Sequence, residues 1–352
     1  MRIGVITNPN SRKNRNKVDR AARLQSIIGE LGTVHETPAP EAIKPILRDF
    51  LRRRAEYWVS DGGDGALHWL LRMGMEVLEE QEFAGKGFSL PLALPTNGGS
   101  IDFVAHNVGI KGNAESILHT LRQDLVAGRE IQEREVDSML IEGIEVDEAG
   151  VEQPFRTYGF AVAAGGIGQR FFAKLDAEGE HTGRNIVSVI AKTVGSFPMS
   201  IAPLRHVPGI PNKFKQYARD MFEPTHARVT LDGRVFPAER FTGINIASMS
   251  INLGNVLRYF KHADEPDQLH AMVGAPSPLE IIANIPNMTM GRRLAGKELH
   301  DGPCREMTIE ALGDEHLAPV VDGEYYKNVR KVSFRSGPRV RIPKVVGRPL
   351  PN

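Results

Sequence analysis

The stretch 57–71 reads YWVSDGGDGALHWLL and joins an apolar run to a glycine cluster and a helical pattern. A strand that ends just before the cluster delivers Gly62, Gly63 and Gly65 into a bend, where residues without Cβ can take positive φ and let a ligand approach the backbone. The helix that follows, roughly 66–80, aims its first N–H groups and its dipole at that ligand, which favours an anion such as phosphate. A glycine-rich turn that serves packing alone is the alternative interpretation.

A second glycine loop follows the next apolar strand. Residues 90–94 predict this strand, and it runs into PTNGGS at 95–100. Open α/β sheets bind ligands beyond the carboxyl ends of their strands. The two glycine loops are therefore candidates to converge on one ligand.

An acidic motif, DGE at 322–324, lies between two apolar pairs, Val-Val and Tyr-Tyr. Taken alone, Asp322-Gly323 is typical of a hairpin turn, like Asp232-Gly233 earlier in the chain. A functional role for Asp322 and Glu324 has to come from their combination with the glycine loops.

The absence of other short motifs argues against several classes of enzyme. There is no G-x-x-x-x-G-K-[ST] loop and no H-E-x-x-H pair among eleven histidines, so ordinary NTPase and zinc hydrolase readings lose support. The segment GGSID at 98–102 lacks the second glycine of a nucleophile elbow, which argues against a serine hydrolase. The single cysteine, Cys304, excludes an intramolecular disulfide and a multi-cysteine metal site, and it favours a reducing cytosolic compartment.

The elements that carry these motifs change character along the chain. Up to about residue 127, apolar strands alternate with helical spacing, and this β-α-β-α-β order predicts a parallel sheet with helices on both faces. From about residue 130, short alternating segments separated by turn signals predict an antiparallel β domain. A helical insertion around 185–194 interrupts that domain.

Bulk properties fit a globular protein. A chain of 352 residues suggests two domains, with 41% hydrophobic and 25% charged residues. The formal net charge of +1 gives no global electrostatic reason to bind nucleic acid. No window approaches the roughly 18 apolar residues of a spanning helix, and the N-terminus is a poor signal peptide because a basic polar loop follows its short apolar run. We expect no transmembrane segment.

Five segments together resemble the catalytic domain of the diacylglycerol kinase family, which includes soluble bacterial lipid kinases and the sphingosine and ceramide kinases. The resemblance spans almost the entire chain, and GGDG and DGE, about 260 residues apart, are far more specific together than either is alone. The segments, in order, are NPNS at 8–11, Thr37 ahead of a helix, GGDG at 62–65, PTNGGSIDFVA at 95–105 and DGE at 322–324.

The resemblance implies an organisation and an activity. It implies a Rossmann-like nucleotide-binding α/β domain over 1–130, completed by the tail 338–352, then a β-sandwich lipid-substrate domain over 131–337, with an active cleft between them. It also implies ATP, a divalent metal written here as Mg²⁺, and transfer of the γ-phosphoryl group to a lipid hydroxyl.

Residue roles follow from the resemblance by position. Asp322 and Glu324 are similar to the acidic pair beside the acceptor hydroxyl, one of them the general base, and Asp64 joins them as a catalytic candidate. The implied nucleotide-binding residues are Asn8, Ser11, Thr37, Gly62, Gly63, Asp64, Gly65, Ala66, Gly98, Gly99 and Ser100. No metal ligands are indicated.

The chain departs from the family pattern at five positions. Threonine and then Asn-Glu usually follow GGDG, whereas this chain has Ala66, His68 and Trp69. The common G-G-T-x-N-D keeps a hydroxyl at Ser100, but Asp102 and Phe103 replace its last two residues. These departures leave open a catalytically degenerate member that binds lipid or nucleotide. A kinase of a soluble hydroxyl acceptor is the third alternative, because NAD kinases share a GGDG turn.

A basic-aromatic stretch at 197–222 is the candidate membrane contact. It mixes aromatic and aliphatic residues with Arg205, Lys213, Lys215 and Arg219, a mixture that can touch the edge of an anionic bilayer. A solvated loop that packs on the β domain is equally open. The expected location is cytoplasmic, transiently at the inner face of the membrane, with a lipid substrate as partner. The sequence names neither the acceptor lipid nor the oligomeric state, so a homodimer stays an open alternative.

Overall fold

A computed structural model describes residues 1–179, 182–200 and 211–350. The chain divides into two compact units. The N-terminal unit comprises 1–136 and 339–352, and the C-terminal unit comprises 137–338.

The N-terminal unit contains a parallel sheet of four strands in the order β2-β1-β3-β4. These are β1 (Ile3–Thr7), β2 (Gly32–Glu36), β3 (Tyr57–Asp61) and β4 (Leu92–Pro95). Every residue of β1, β3 and β4 is buried, as expected for a parallel sheet covered on both faces.

Five helices accompany this sheet in the described chain: α1 (Arg20–Ile28), α2 (Ile43–Arg52), α3 (Asp64–Leu78), α4 (Phe103–Val108) and α5 (Ala114–Val126). Short 3₁₀ turns at Gly29–Leu31 and Pro40–Ala42 follow α1 and precede α2. Helix α1 packs against α5, and α2 packs against α3. The chain first moves from β1 to β2 and then reverses to β3 and β4, so right-handed crossovers place α1 on one face and α2 and α3 on the other. The reversal is a switch point between β1 and β3, where such sheets bind ligands.

The end of the chain belongs to the N-terminal unit. The Gly347 amide donates to the Lys111 carbonyl over 2.8 Å, and the Lys111 amide donates to the Val345 carbonyl over 3.2 Å. The Arg348 amide donates to the Thr120 hydroxyl on α5 over 2.7 Å. These bonds fix the tail beside α5.

Two antiparallel sheets build the C-terminal unit, in the orders β10-β8-β16-β19-β5-β6, with β9 beside β8, and β15-β14-β11-β7-β17-β18. A small hairpin, β12-β13, is separate. The strands are β5 (Glu133–Val146), β6 (Glu152–Gly159), β7 (Ala161–Gly166), β8 (Thr225–Leu231), β9 (Arg234–Val235), β10 (Arg240–Phe241), β11 (Gly243–Ala247), β12 (Ile251–Leu253), β13 (Leu257–Tyr259), β14 (Leu269–Gly274), β15 (Leu299–Cys304), β16 (Glu306–Ala311), β17 (Val320–Val321), β18 (Glu324–Tyr325) and β19 (Val329–Pro343).

The described helices of this unit are α6 (Ile167–Ala177), α7 (Gly183–Ser196), α8 (Asn212–Phe222), α9 (Pro278–Ala283) and α10 (Ile285–Met290), with 3₁₀ turns at Phe197–Ser200 and Lys261–Asp264. Helix α7 contains the predicted insertion at 185–194. Part of the candidate membrane stretch, residues 201–210 with Arg205, lies outside the described residues.

Both sheets share one core. Met139 and Phe334 from the first sheet and Ile246 and Val273 from the second lie in a single buried cluster. Inward-facing apolar side chains of two sheets that meet in this way make a sandwich. The prediction of a parallel α/β domain followed by an antiparallel β-sandwich is confirmed. The free thiol of Cys304 lies in the same core.

Among the described helices, none is both long enough and apolar enough to cross a membrane.

Candidate functional site

The two glycine loops touch each other through their backbones. A Cβ on Gly63 would lie 2.7 Å from the Gly99 Cα, and a Cβ on Gly98 would lie 2.8 Å from the Gly62 Cα. The Gly98 amide also donates to the Gly62 carbonyl over 3.0 Å. None of these four glycines, nor Gly65, has positive φ, so the expectation of positive φ was wrong. Close approach of the two loops is the physical reason for glycine here.

Helix α3 begins at this contact. The Gly63 carbonyl accepts from the Ala66 and Leu67 amides over 3.1 and 3.2 Å. The amide N–H groups of Gly63 and Gly65 have no acceptor among the residues that the structure describes. Such unsatisfied donors, added to the helix dipole, make the start of α3 suited to an anion.

The end of β1 lies against the same loop. A Cβ on Gly62 would lie 2.8 Å from the Ser11 Oγ and 3.8 Å from the Asn8 Cβ. Within the described ranges the hydroxyls of Ser11 and Ser100 have no hydrogen-bond partner, so both can donate to a ligand. The Thr37 hydroxyl differs, because it donates to the Ala39 carbonyl over 3.0 Å and accepts from the Ala39 amide over 3.2 Å.

Asp64, a predicted catalytic residue, holds a neighbouring helix. Its carboxylate accepts from the amides of Phe103 and Val104 over 3.1 and 3.2 Å. These are the first residues of α4, where orphan N–H groups and the helix dipole favour a carboxylate. In this arrangement Asp64 fixes the GGDG loop to α4.

A buried carboxylate that sequence reasoning missed lies directly before the GGDG loop. Asp61 is 0% exposed and accepts both Nε and Nη2 of Arg20 over 2.6 and 2.7 Å. Its other donors are the Thr7 hydroxyl at 2.6 Å, the Thr96 hydroxyl at 3.0 Å and the Asn14 amide nitrogen at 3.2 Å. An acid at the end of an otherwise apolar strand was the available signal, because a buried charge needs a partner. The strand prediction ended at Ser60 instead.

The Arg20 guanidinium extends the pair to α5. Its Nη1 lies 3.8 Å from the Glu115 carboxylate, which also accepts Arg23 over 2.7 Å. One ionic network thus joins the ends of β1 and β3, the loop after β4, and the starts of α1 and α5.

Lys13 and Asp102 pin the second loop. The Asp102 carboxylate accepts from the Gly99 amide over 2.8 Å and from the Lys13 ammonium over 3.0 Å. That ammonium also donates to the Asn97 carbonyl over 2.6 Å, and the Lys13 side chain is 46% exposed. Lys13 therefore supplies a partly solvated cation at the glycine loops, and it is not among the site residues predicted from the sequence.

The other departures from the family pattern have packing roles. His68 is 0% exposed and Phe103 is 5% exposed, so both belong to the core. The Trp69 ring lies 5.1 Å from the Arg72 guanidinium, within cation–π range. Ala66 packs against Gly62.

In the C-terminal unit, the DGE motif forms the turn between β17 and β18. Asp322 and Gly323 have φ of 50° and 93°, as in the hairpin alternative. The Asp322 carboxylate is buried and accepts from the amides of Phe160 and Ala161 over 3.1 and 2.9 Å. Glu324 is half-buried, and its carboxylate has no hydrogen bond or ion pair with any described residue. Of the two acids, Glu324 is the one whose carboxylate is not held by a described residue.

No protein-family profile matches the sequence, and no curated protein matches it either. Solved structures do match. A protein from Bacillus anthracis str. Sterne, provisionally assigned as a diacylglycerol kinase, aligns with a TM-score of 0.59 at 12% identity over 99% of this chain and 97% of that chain. A diacylglycerol kinase from the same organism aligns with a TM-score of 0.55 at 11% identity over 97% and 96% of the two chains. The chain has the diacylglycerol kinase fold.

That fold is what the likeness shows at this level of identity. Yeast NADH kinase aligns at 10% identity over 98% of this chain and 83% of its own, but its TM-score of 0.48 supports no argument. Among the described residues, no group of three or more His, Cys, Asp or Glu side chains is placed to hold a metal ion.

Replacing Arg20 by alanine will test the buried pair. The change leaves Asp61 buried without its main cation, so we expect the free energy of unfolding to fall by about 3–5 kcal/mol. Arg2→Ala is the matched control, because its pair with Glu56 is 40% and 49% exposed and should contribute about 0–1 kcal/mol. Urea denaturation measures both. Equal losses in the two variants would contradict the structural role of Arg20.

Gly63→Ala will test the contact between the loops. A methyl group 2.7 Å from the Gly99 Cα should lower the free energy of unfolding by about 1–3 kcal/mol. Gly195→Ala is the control, since no atom lies within 4 Å of its Cβ position on α7, and it should raise stability by up to about 1 kcal/mol. If Gly63→Ala is as stable as the wild type, the loops are not packed as described.

Proposed function

We propose that this chain is an ATP-dependent kinase that transfers the γ-phosphoryl group to a lipid hydroxyl. One observation carries the proposal: the start of α3 presents free amide donors at the sheet's switch point, where two glycine loops and Lys13 meet. Phosphoryl transfer depends mainly on positioning and on donors that neutralise phosphate charge. The diacylglycerol kinase fold supports the same reading.

Each residue at the glycine loops has a role in this proposal. The amides of Gly63 and Gly65 donate to phosphate oxygens, and the Lys13 ammonium adds a positive charge. Ser11 and Ser100 donate their hydroxyl groups. Six further residues shape the loops around the nucleotide: Asn8, Thr37, Gly62, Ala66, Gly98 and Gly99.

Magnesium would enter this site on the phosphates of the nucleotide, because the available groups at the loops are N–H, ammonium and hydroxyl donors and the carboxylates of Asp64 and Asp102 are engaged within the protein. Proteins usually hold Mg²⁺ through one or two carboxylates and the substrate phosphates, so a cluster of three protein ligands is not required. When bound, the ion neutralises charge on the transferred phosphoryl group.

Glu324 is the proposed general base. Its carboxylate is available, whereas the Asp322 carboxylate is held by two backbone amides. Asp322 instead fixes the hairpin that presents Glu324, which divides the predicted acidic pair into a positioning residue and a proton acceptor. Asp64 is likewise a positioning residue through α4.

The acceptor in this proposal is a lipid hydroxyl. We favour a diacylglycerol, ceramide or sphingoid base, and a soluble hydroxyl compound is the competing acceptor. Transfer of radiolabelled γ-phosphate from Mg-ATP to a panel of these lipids, a total bacterial lipid extract and soluble sugars and nucleosides distinguishes them. A labelled lipid supports the proposal, and a labelled soluble product replaces it.

Glu324→Gln tests the base. Loss of a general base should lower kcat by about 10²–10⁴-fold, with little change in the free energy of unfolding because the carboxylate has no described partner. Asp322→Asn should instead weaken the hairpin and lower stability, because one oxygen that accepts a buried amide becomes a donor. Unchanged kcat in Glu324→Gln would exclude it as the base.

A thermal-shift titration with Mg-ATP separates a kinase from a degenerate binder. Ala66 and Phe103 motivate the binder alternative, and ligand linkage raises the melting temperature whenever the folded protein binds nucleotide. Stabilisation without transfer to any acceptor would favour the binder. No stabilisation would contradict a nucleotide site at the glycine loops.

We also propose that α7 and α8 touch the membrane. Val187 and Val194 lie seven residues apart on α7 and are 51% and 39% exposed, and Phe214 on α8 is 51% exposed. Helix α8 also carries Lys213, Lys215 and Arg219. Exposed apolar side chains beside cations favour an anionic lipid surface.

Flotation with anionic liposomes tests this surface. A triple variant, Val187→Ser, Val194→Ser and Phe214→Ser, should bind less protein to liposomes, because each change removes apolar area available to the bilayer. Val235→Ser is the control, since Val235 is 62% exposed on β9. Equal flotation of the triple variant and the wild type would remove the membrane role of α7 and α8.

A further inference from the structure

A cavity of about 300 Å³ lies within the C-terminal unit, apart from the DGE turn. The β12-β13 hairpin, the turn Lys261–Asp264 and the segment after α10 contribute its walls. Its volume is at the small end of the range for ligand pockets. It contains none of the residues assigned above to phosphoryl transfer.

The lining of this cavity has an excess of positive charge. Four cationic residues line it, namely Arg258, Lys261, Arg292 and Arg293, against two carboxylates, Asp264 and Asp301. In the described part of the chain, none of the four cationic side chains has an ion pair or a hydrogen bond. Two positive charges therefore remain uncompensated when the histidines are neutral.

Other groups of the protein occupy the two carboxylates. Asp301 accepts His270 Nε2 through one oxygen over 2.6 Å and the Leu294 amide through the other over 2.5 Å. Asp264 accepts the Ser250 amide over 3.0 Å. Neither acid is placed in an ion pair with a lining arginine, so the cationic side chains stay available to a ligand.

His270 forms part of the cavity wall, and both of its ring nitrogens are hydrogen-bonded within the protein. It is 3% exposed, and its Nδ1 accepts from the His262 amide over 3.1 Å, which places the proton on Nε2 facing Asp301. The His262 ring stacks on it with a centroid distance of 5.6 Å. Because both ring nitrogens of His270 are engaged, this imidazole is a fixed part of the wall, and hydrogen bonds to a ligand have to come from other lining residues.

Apolar side chains complete the lining. Phe260 is 7% exposed, and its ring contacts the His270 ring edge-on at 5.7 Å. Met290 is 53% exposed at the end of α10. A ligand with an anionic head and a small organic substituent matches a pocket with these two kinds of wall.

We infer that this cavity binds a phosphomonoester dianion. Such a group carries a charge of about −1.5 to −2 at neutral pH, which matches the uncompensated charge, whereas a single carboxylate supplies half of it. Guanidinium groups bind phosphate oxygens through two parallel N–H donors, so three lining arginines suit a phosphate better than a lone cation would. The group can belong to a soluble phosphate ester or to a phosphorylated lipid headgroup.

Calorimetry on the full chain tests the inference, with phenyl phosphate as the soluble probe and vesicles containing phosphatidic acid as the lipid probe. The double variant Arg292→Gln, Arg293→Gln should bind the effective probe about tenfold or more weakly, the loss expected from one charge-assisted hydrogen bond. Arg234→Gln is the control, because Arg234 is an exposed arginine on β9 outside the cavity, and it should bind as the wild type does.

The outcomes are distinct. If the wild type binds phenyl phosphate and the double variant does not, the ligand is a soluble phosphate ester. If the wild type binds only the vesicles and the double variant does not, the ligand is a lipid headgroup. If circular dichroism shows that the double variant is unfolded, Arg258→Lys is measured instead. This variant should weaken binding several-fold, because lysine keeps the charge but lacks the planar guanidinium that donates two parallel hydrogen bonds. The inference is overturned if the wild type binds neither probe at up to about 10 mM phosphate, or if the cavity variants bind as tightly as Arg234→Gln.

Discussion

The ionic contact between Arg20 and Asp61 is the constraint on which the N-terminal unit depends. A carboxylate that is 0% exposed at the end of a strand is costly unless donors surround it, and here four residues supply five hydrogen bonds through their side chains. Those donors come from the end of β1, the loop before α1, the start of α1 and the loop after β4. Satisfying one charge therefore fixes the positions of these four segments relative to the end of β3, beside the glycine loops.

The remaining acids near the loops serve the same purpose on a smaller scale. Asp64 holds α4 and Asp102 holds Gly99 and Lys13, so their carboxylates are occupied within the protein. What faces outward from the loops is a set of donors: backbone amides, two hydroxyls and one ammonium. A site whose carboxylates are engaged within the protein while amide and hydroxyl groups remain as donors is suited to bind a polyanion, such as the nucleotide of the proposed function.

The C-terminal unit shows the same division between structural and available groups. Asp322 and Glu324 are two residues apart, yet at this left-handed turn one carboxylate accepts from buried amides and the other has no partner among the described residues. In the cavity beside His270 the acids are occupied and the cations are available. Local hydrogen bonding to the backbone, rather than residue type, decides which charged groups remain for ligands.

The sequence by itself determined the class of the fold, the two glycine loops and the turn at Asp322-Gly323, because hydrophobic periodicity and turn chemistry act over a few neighbouring residues. The placement of individual site groups was decided by the tertiary structure. Arg20 reaches Asp61 across 41 positions and Asp64 reaches Phe103 across 39, and neither contact leaves a local pattern. The glycines of the two loops illustrate the difference. The sequence shows that these positions are glycine, but only the structure shows why: a second loop approaches too closely for a Cβ, and their own φ angles do not require glycine. Burial and long-range pairing, which no short window of sequence contains, select the groups that can do chemistry.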